Sequence, residues 1–343
     1  MDPQYTRRLE KIEAVLNAQL PETPAPPWVH TNFPGLPGTV PPALVKSLTL
    51  PGWDLIARGG KRWRPLLTTL ICESLGGGDG ALPLVPLVEL PHNASLIHDD
   101  IEDNSDERRG KPAAHILYGT DTAINAGTFL YFLPLTCIEA WDAPLELKNG
   151  VYRLWGEHMR RLHLGQAMDI SWHRDHRSLP GLEEYDLMCR LKTGCLARFA
   201  AILGVYGAVA AGGIEAGEID QWAGTFGEAA EKLGVGFQIL DDVKNLTTGN
   251  PGKKRGDDIV EGKKSLPVLL YLHGQKDAGE VVQRCFQAAA VEGVGAPEVE
   301  ELIGCLEASG ALEEAGKRGL ALIGEARGAF PGTLLAGLID SIS

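Results

Sequence analysis

His92-Asn93-Ala94-Ser95-Leu96-Ile97-His98-Asp99-Asp100-Ile101-Glu102-Asp103 closes an apolar run that begins near Leu82. The run carries helix-forming residues at helical spacing and ends abruptly in acids. On a helix, positions i and i+4 share a face, so Asp99 and Asp103 point the same way while Asp100 stands about 100° round. Negative charge at a helix C-terminus opposes the macrodipole, so something must offset it. Two carboxylates one turn apart can bridge a hard divalent cation such as Mg2+ through oxygen. The bland alternative is a solvated acidic run that merely ends a helix.

The same design recurs far downstream. Asp241-Asp242-Val243-Lys244-Asn245 follows the apolar stretch from Leu233 to Leu240. Two aspartate pairs, each ending an apolar helix, predict two acidic walls facing each other across a cavity. Metal ions bridging such walls need a polyanion between them, and a diphosphate fits. At an effective dielectric of 20, opposite unit charges 4 Å apart gain about 4 kcal/mol, so metals can hold an anion that the acids alone repel.

Basic residues stand beside the acidic motifs. Gly59-Gly60-Lys61-Arg62-Trp63-Arg64-Pro65 puts a flexible turn before a helix start, with Lys61 and Arg64 on one face. Arg108-Arg109-Gly110 follows the first acidic motif, and Lys192-Thr193-Gly194 interrupts a long helical pattern. Lys253-Lys254-Arg255 and Lys263-Lys264 follow the second. Arginine forks suit phosphate oxygens and lysines supply point charges. Any single cluster reads as solvated surface; their repeated adjacency to acids reads as phosphate binding.

Outside these motifs the chain is rich in Leu, Ala and Ile, with little period-two alternation. Helices are expected over about 4–20, 63–75, 82–103, 120–141, 146–173, 182–211, 215–246 and 262–273, with smaller ones beyond. The fold class is all-α. Nine of the 22 prolines fall between Pro21 and Pro51. They predict an extended arm without long helix, so the chain divides into an N-terminal helix and Pro-rich arm, 1–54, and a helical domain, 55–343.

With 343 residues and 44 % hydrophobic content the chain can bury a substantial core. The formal charge of −13 argues against nucleic acid or an anionic membrane as partner, since both require basic stripes. The six cysteines lie scattered, which predicts reduced thiols and a cytoplasmic protein. The charged N-terminus lacks the apolar core of a signal peptide, and no run long enough for a membrane span is expected. No G-x-S-x-G, H-E-x-x-H or P-loop motif occurs, and the histidines, among them His92, His98 and His163, lack metal-ligand spacing.

Taken together, the motifs resemble the trans-isoprenyl diphosphate synthases, over roughly residues 55–275. The glycine-led Lys61–Pro65 cluster and the His92–Asp103 region running on to Gly110 match in family order. Gly165-Gln166 with Asp169, then Lys192-Thr193-Gly194, then Phe237-Gln238 with Asp241-Asp242 complete the set. The resemblance implies a single-domain isoprenoid synthase fold of antiparallel helices around a deep central cavity, usually in a homodimer. It implies that isopentenyl diphosphate is held by Lys61, Arg64, His92 and Arg109. The allylic diphosphate would meet Arg108, Lys192, Gln238, Lys263 and one of Lys253 or Lys254, with Thr193 near the reacting carbon. Mg2+, three ions per site, would be bound by Asp99, Asp103 and Asp241, with Asp100 and Asp242 in support.

Three further features bear on this resemblance. The second acidic motif ends in Asn245 where many family members carry aspartate, a trait shared with the eukaryote-type geranylgeranyl synthases; the C-terminus carries no basic tail. Product length would be set by small residues above the cavity, Ala94 and Ser95, and by a floor of Tyr131, Phe132 and His163, which implies geranylgeranyl diphosphate, with longer chains or farnesyl diphosphate as alternatives. A class I terpene cyclase shares the aspartate-rich helix but binds one diphosphate and carries an N-D-x-x-S-x-x-x-E motif absent here. A non-catalytic synthase subunit tends to lose the acidic motifs, both intact in this chain.

Overall fold

The computed structural model describes residues 3–175, 178–249, 254–330 and 332–342. Among them, the strands are confined to a two-stranded antiparallel ladder that pairs Glu107 with Pro112 and Arg108 with Lys111. All other regular structure is helical. The chain forms two compact units. One comprises Met1–Gly156, Phe199–Gly224 and Gly332–Leu338, the other Glu157–Arg198, Thr225–Pro331 and Ile339–Ser343.

In the first unit, helix Pro86–Glu102 packs against Thr120–Phe132, which in turn packs against Pro42–Ala57. A core of Leu84, Leu87, Val88, Ile138, Trp141, Phe199 and Leu203 is fully or nearly buried. It holds the helix whose last turn carries the first acidic motif, so that motif is presented from a rigid element. The prolines overturn one expectation. Residues 42–57 form a 16-residue helix, and a short one spans Pro26–Asn32. Pro42 stands in the first turn, where its missing N–H costs nothing. Pro51 lies inside the helix but is buried, and its ring adds to the apolar face shared with Val45, Leu55 and Ile56. The arm is docked rather than extended. Trp28 Nε1 donates to the Gln19 carbonyl at 3.0 Å, and Phe33 stacks on Phe129 with centroids 5.8 Å apart.

In the second unit, two apolar clusters share Val243 and Leu270 at their margins. Tyr185, Cys189, Val235, Ile239 and Leu269 form one, and Phe286, Leu302, Ile303 and Leu306 centre the other. Between helices Leu182–Cys189 and Cys195–Ala210 the chain makes one π-helical turn, Arg190–Gly194. The sequence predicted a helix over 182–211 with an interruption at Lys192-Thr193-Gly194, and the π turn lies at that interruption. Two stretches, Thr120–Ala140 and Leu182–Ala210, are long and apolar enough by composition to cross a membrane, but 50 % and 78 % of their apolar 18-residue windows are buried within the fold, as in core helices. All six cysteines are free thiols.

Candidate active site

The first acidic motif divides by burial, as its helical phase predicts. Asp99 and Asp103 are half-buried, and the turn between them is closed by the Asp103 N–H donating to the Asp99 carbonyl at 2.8 Å. Asp100 is buried, and its Oδ1 accepts from Arg108 Nε at 2.8 Å and from Arg108 Nη2. Arg108 therefore turns back onto the helix it follows. This ion pair offsets the charge that the acidic run places at the helix end.

The basic residues of this unit surround His92. Arg64 is buried with its guanidinium 4.4 Å over the Trp63 ring, whereas Lys61 is exposed. Arg109 Nη1 donates to the Leu55 carbonyl at 2.8 Å and to Asn93 Oδ1 at 3.2 Å. Burial, then the charges of Arg64, Arg109, Arg62 and Arg108, push His92 well below its usual range, so it is neutral at ordinary pH. Burial likewise lowers Arg109 to about 10, against the opposing pull of Glu89. A buried guanidinium beside a neutral imidazole and further arginines is an arrangement that suits an anion.

The second unit carries its own cations. Lys192 Nζ lies 2.5 Å from Asp169 Oδ2, and His173 Nε2 lies 2.8 Å from Asp169 Oδ1. Burial works against the Asp169 carboxylate, but the charges of Lys192, His173 and Lys263 prevail and hold it far below the usual range. Gly165 explains how Lys192 reaches this place. A Cβ there would stand 2.4 Å from the Lys192 backbone nitrogen, so only glycine lets the helices approach so closely. Gly234 plays the same part on the other side, where a Cβ would meet Gly194 Cα at 2.9 Å.

From this segment a hydrogen-bond chain runs to the second acidic motif. Thr193 Oγ1 donates to Gln238 Oε1 at 2.8 Å, Gln238 Nε2 donates to Asp242 Oδ1 at 2.8 Å, and the Tyr185 hydroxyl donates to Asp242 Oδ2 at 2.9 Å. Asp242 is buried; its burial and the nearby Asp258 charge raise it to about 7, against Lys263, Gln238 and Tyr185. Its neighbour Asp241 is exposed. Lys263 lies 3.4 Å from Asp258, and burial, which would lower it, is outweighed by Asp258, Glu261, Asp242 and Asp169, which raise it well above its usual value. The Asn245 departure finds a local reason. Its Oδ1 accepts the Asp258 N–H at 3.2 Å, its carbonyl accepts the Gly256 N–H at 3.0 Å, and Nδ2 reaches the Lys254 carbonyl at 3.5 Å. A carboxylate could accept the first bond but not donate the last. Lys254 is exposed, and Lys253 lies outside the described residues.

The expected product-length residues lie as follows. Ala94 is buried, and Ser95 donates its hydroxyl to the His92 carbonyl at 2.9 Å. Tyr131 is buried and stacks on His98, centroids 5.9 Å apart and planes 8° from parallel. Phe132 is 57 % exposed, its ring 6.3 Å from that of Trp155. His163, in the second unit, is exposed with Nδ1 2.8 Å from the Met159 carbonyl.

Sequence reasoning missed Tyr185 and His173 and assigned Asp169 no role. The Asp169/His173 pair was within reach, being one helical turn apart. Tyr185 carries no local signal, since its partner lies 57 positions away. No group of three or more His, Cys, Asp or Glu side chains forms a ready metal cage among the described residues.

Residues 45–299 match the family described as Polyprenyl synthetase. The chain is 35 % identical over 254 residues to geranylgeranyl pyrophosphate synthase 9, chloroplastic, of Arabidopsis thaliana, covering 70 % of this chain and 68 % of that one. It is 37 % identical over 238 residues to the geranylfarnesyl diphosphate synthase of Aeropyrum pernix, covering 66 % and 69 %. The solved structure of geranylgeranyl pyrophosphate synthetase from Pyrococcus horikoshii superposes with a TM-score of 0.80 at 26 % identity, over 99 % of this chain and 96 % of that one. Fold and motifs thus define an all-α enzyme of the trans-prenyltransferase class. The chain belongs to the polyprenyl synthetase family.

Proposed function

We propose that this enzyme condenses isopentenyl diphosphate with an allylic diphosphate and releases geranylgeranyl diphosphate as its main product, in the cytoplasm and as a homodimer. The observation that carries the two-substrate reading is the presence of two separate cation sets. Arg64 and Arg109 stand around neutral His92 in one unit. Lys192 and Lys263 stand with Asp169 and Asp242 in the other. A cyclase, which takes one diphosphate, needs only one such set.

Lys61, Arg64, His92 and Arg109 bind the isopentenyl diphosphate. Arg108, Lys192, Gln238, Lys263 and Lys254 or Lys253 orient the allylic diphosphate, with Thr193 close to the reacting carbon. Asp99, Asp103 and Asp241 are the ligands for Mg2+, which when bound neutralises the leaving diphosphate. Asp100 and Asp242 position Arg108 and Gln238 respectively. No side chain is required as a nucleophile. The isopentenyl double bond attacks the allylic carbon, the departing diphosphate takes the final proton, and apolar surroundings keep water from the cation.

Product length rests on Ala94 and Ser95, too small to stop a chain at fifteen carbons, and on Tyr131, Phe132 and His163 as the floor. A geranylfarnesyl synthase of equal similarity favours the longer product as the second reading. The homodimer is supported by Ile116, Leu117 and Ile124, large apolar side chains exposed on this chain.

The deciding experiment supplies purified chain with isopentenyl and farnesyl diphosphates and identifies products by mass spectrometry. A dominant twenty-carbon product is expected, shifting longer in the Tyr131→Ala, Phe132→Ala double variant. An unchanged distribution in that variant removes these residues from the floor. Absence of any elongated product refutes the condensation.

A further inference from the structure

Arg62 lies between two residues of the isopentenyl diphosphate clamp yet belongs to neither set of expected contacts. Its side chain is buried, and each of its three nitrogens donates within the protein. Nε donates to Glu13 Oε1 at 2.7 Å and Nη1 to Glu89 Oε1 at 2.9 Å. Nη2 donates to the Ile56 carbonyl at 2.6 Å, and Nη1 also reaches the Gly59 carbonyl at 3.3 Å. The backbone at Arg62 is left-handed, with φ of 48°, a conformation unfavourable for a residue with a side chain. The interactions of the guanidinium hold it there. This residue caps helix Trp63–Ser74, so its turn fixes where Lys61 leaves and where Arg64 begins.

The same network continues to Arg109. Glu89, buried at 3 % exposure, accepts from Asn93 Nδ2 at 3.1 Å, and Asn93 Oδ1 accepts from Arg109 Nη1 at 3.2 Å. Arg109 also has left-handed backbone, φ 54°. A Cβ on Gly60 would lie 3.2 Å from Arg62 Nη1 and 3.3 Å from Arg109 Nη2, so both guanidiniums flank one glycine. Two like charges this close need an acid between them, and Glu89 supplies it. Glu13 comes from helix Pro3–Gln19, far outside the recognised motifs.

We infer that Glu13, Arg62, Glu89 and Asn93 are positioning residues that set the isopentenyl diphosphate clamp, and that the N-terminal helix is thereby part of that substrate's binding apparatus. This rests on the assignment of Arg64 and Arg109 to isopentenyl diphosphate. A lysine at 62 offers one ammonium where the fork meets two carboxylates, so it cannot reproduce the geometry.

The test is steady-state kinetics of the full chain with each substrate varied in turn, beside melting curves. Arg62→Lys is expected to raise the KM for isopentenyl diphosphate about tenfold while the allylic KM stays within about twofold. Glu13 is partly exposed, so Glu13→Ala keeps the fold, and about a threefold rise in the same KM without change in melting temperature is expected. In the Arg62→Lys background the Glu13→Ala effect should vanish, because it acts through that arginine. Equal rises in both KM values, an unchanged isopentenyl KM in Glu13→Ala, or full additivity would each overturn the inference. Arg109→Ala separates its failure from that of the underlying assignment. If Arg109→Ala leaves the isopentenyl KM unchanged, the clamp assignment fails. If it raises that KM while Glu13→Ala and Arg62→Lys do not, only the positioning role falls.

Discussion

Gln238 donates from Nε2 to Asp242 Oδ1 at 2.8 Å, so a residue expected to meet substrate is oriented by the acidic motif it precedes. With Thr193 on its other end and Tyr185 on the far oxygen of Asp242, four side chains are locked in one chain of hydrogen bonds. Such a chain polarises its members and fixes their rotamers. Within each acidic motif the aspartates therefore differ: a buried one holds protein groups in place, and a more exposed one stands at the surface, where the proposed function puts the metal.

That division predicts different phenotypes within one motif. Asp241→Ala and Asp99→Ala should abolish turnover yet change stability by less than about 0.5 kcal/mol, since neither is buried. Asp100→Ala should lose turnover and also lose about 3–5 kcal/mol, because it strands the Arg108 charge in a largely buried place. Melting curves beside activity assays check this; more than a tenth of wild-type activity in both Asp99→Ala and Asp241→Ala would remove the carboxylates from metal binding.

Gly165 offers a test of close approach. Gly165→Ala drives a methyl group into the backbone at Lys192 and should cost about 1–3 kcal/mol, with a large fall in turnover as Lys192 moves. Gly224→Ala, where a Cβ meets nothing within 4 Å, should instead stabilise its helix by about 0.5–1 kcal/mol and leave turnover unchanged. Similar losses in both variants would show that helix composition, not the approach, matters.

The two cation sets should separate kinetically. Lys61→Ala and Arg64→Ala should each weaken isopentenyl diphosphate by about 1.5–3 kcal/mol, the worth of a charge-assisted contact, with little effect on the allylic substrate. Lys192→Ala should do the reverse. Kinetics with each substrate varied in turn read this directly, and equal effects on both substrates contradict the assignment.

Lys264 predicts a pH dependence. It is buried over the Phe286 ring, with Nζ 3.2 Å from the Gly262 carbonyl and 3.3 Å from that of Trp172. Burial lowers it to about 8, with Asp175 opposing. A base depressed on folding binds more protons when unfolded, so its contribution is full above about 10.5, the unfolded value, and is lost as pH falls through 8. The melting temperature of the wild type should therefore rise, relative to Lys264→Met, between pH 8 and 10. Parallel curves would show that this lysine does not titrate on folding.

Much of this architecture was legible because its signals are local. Asp99, Asp100 and Asp103 follow helical phase, and the 100° offset of Asp100 already separated it from its neighbours. The long helices follow from periodicity. The Pro42–Ala57 helix was not legible, because Pro51 is tolerated only through burial that comes from tertiary packing. The π turn at Arg190–Gly194 was legible in place but not in kind: Lys192-Thr193-Gly194 marked an interruption, while its geometry depends on Gly165 and Gly234 letting neighbouring helices close in. Partners such as Arg62 with Glu13, or Tyr185 with Asp242, are separated by 49 and 57 positions, beyond any spacing rule.

Asn245 carries a consequence for engineering. Through its side chain and carbonyl it ties Lys254, Gly256 and Asp258 to the helix bearing the second acidic motif. The loop and the residue that moors it are thus one exchangeable block, although they lie apart in the chain. A graft that brings in the 254–258 segment of a homologue bearing aspartate at the mooring position would leave a host amide facing a loop shaped for a carboxylate. Transplants that move position 245 together with its loop should keep activity where transplants of the loop alone lose it.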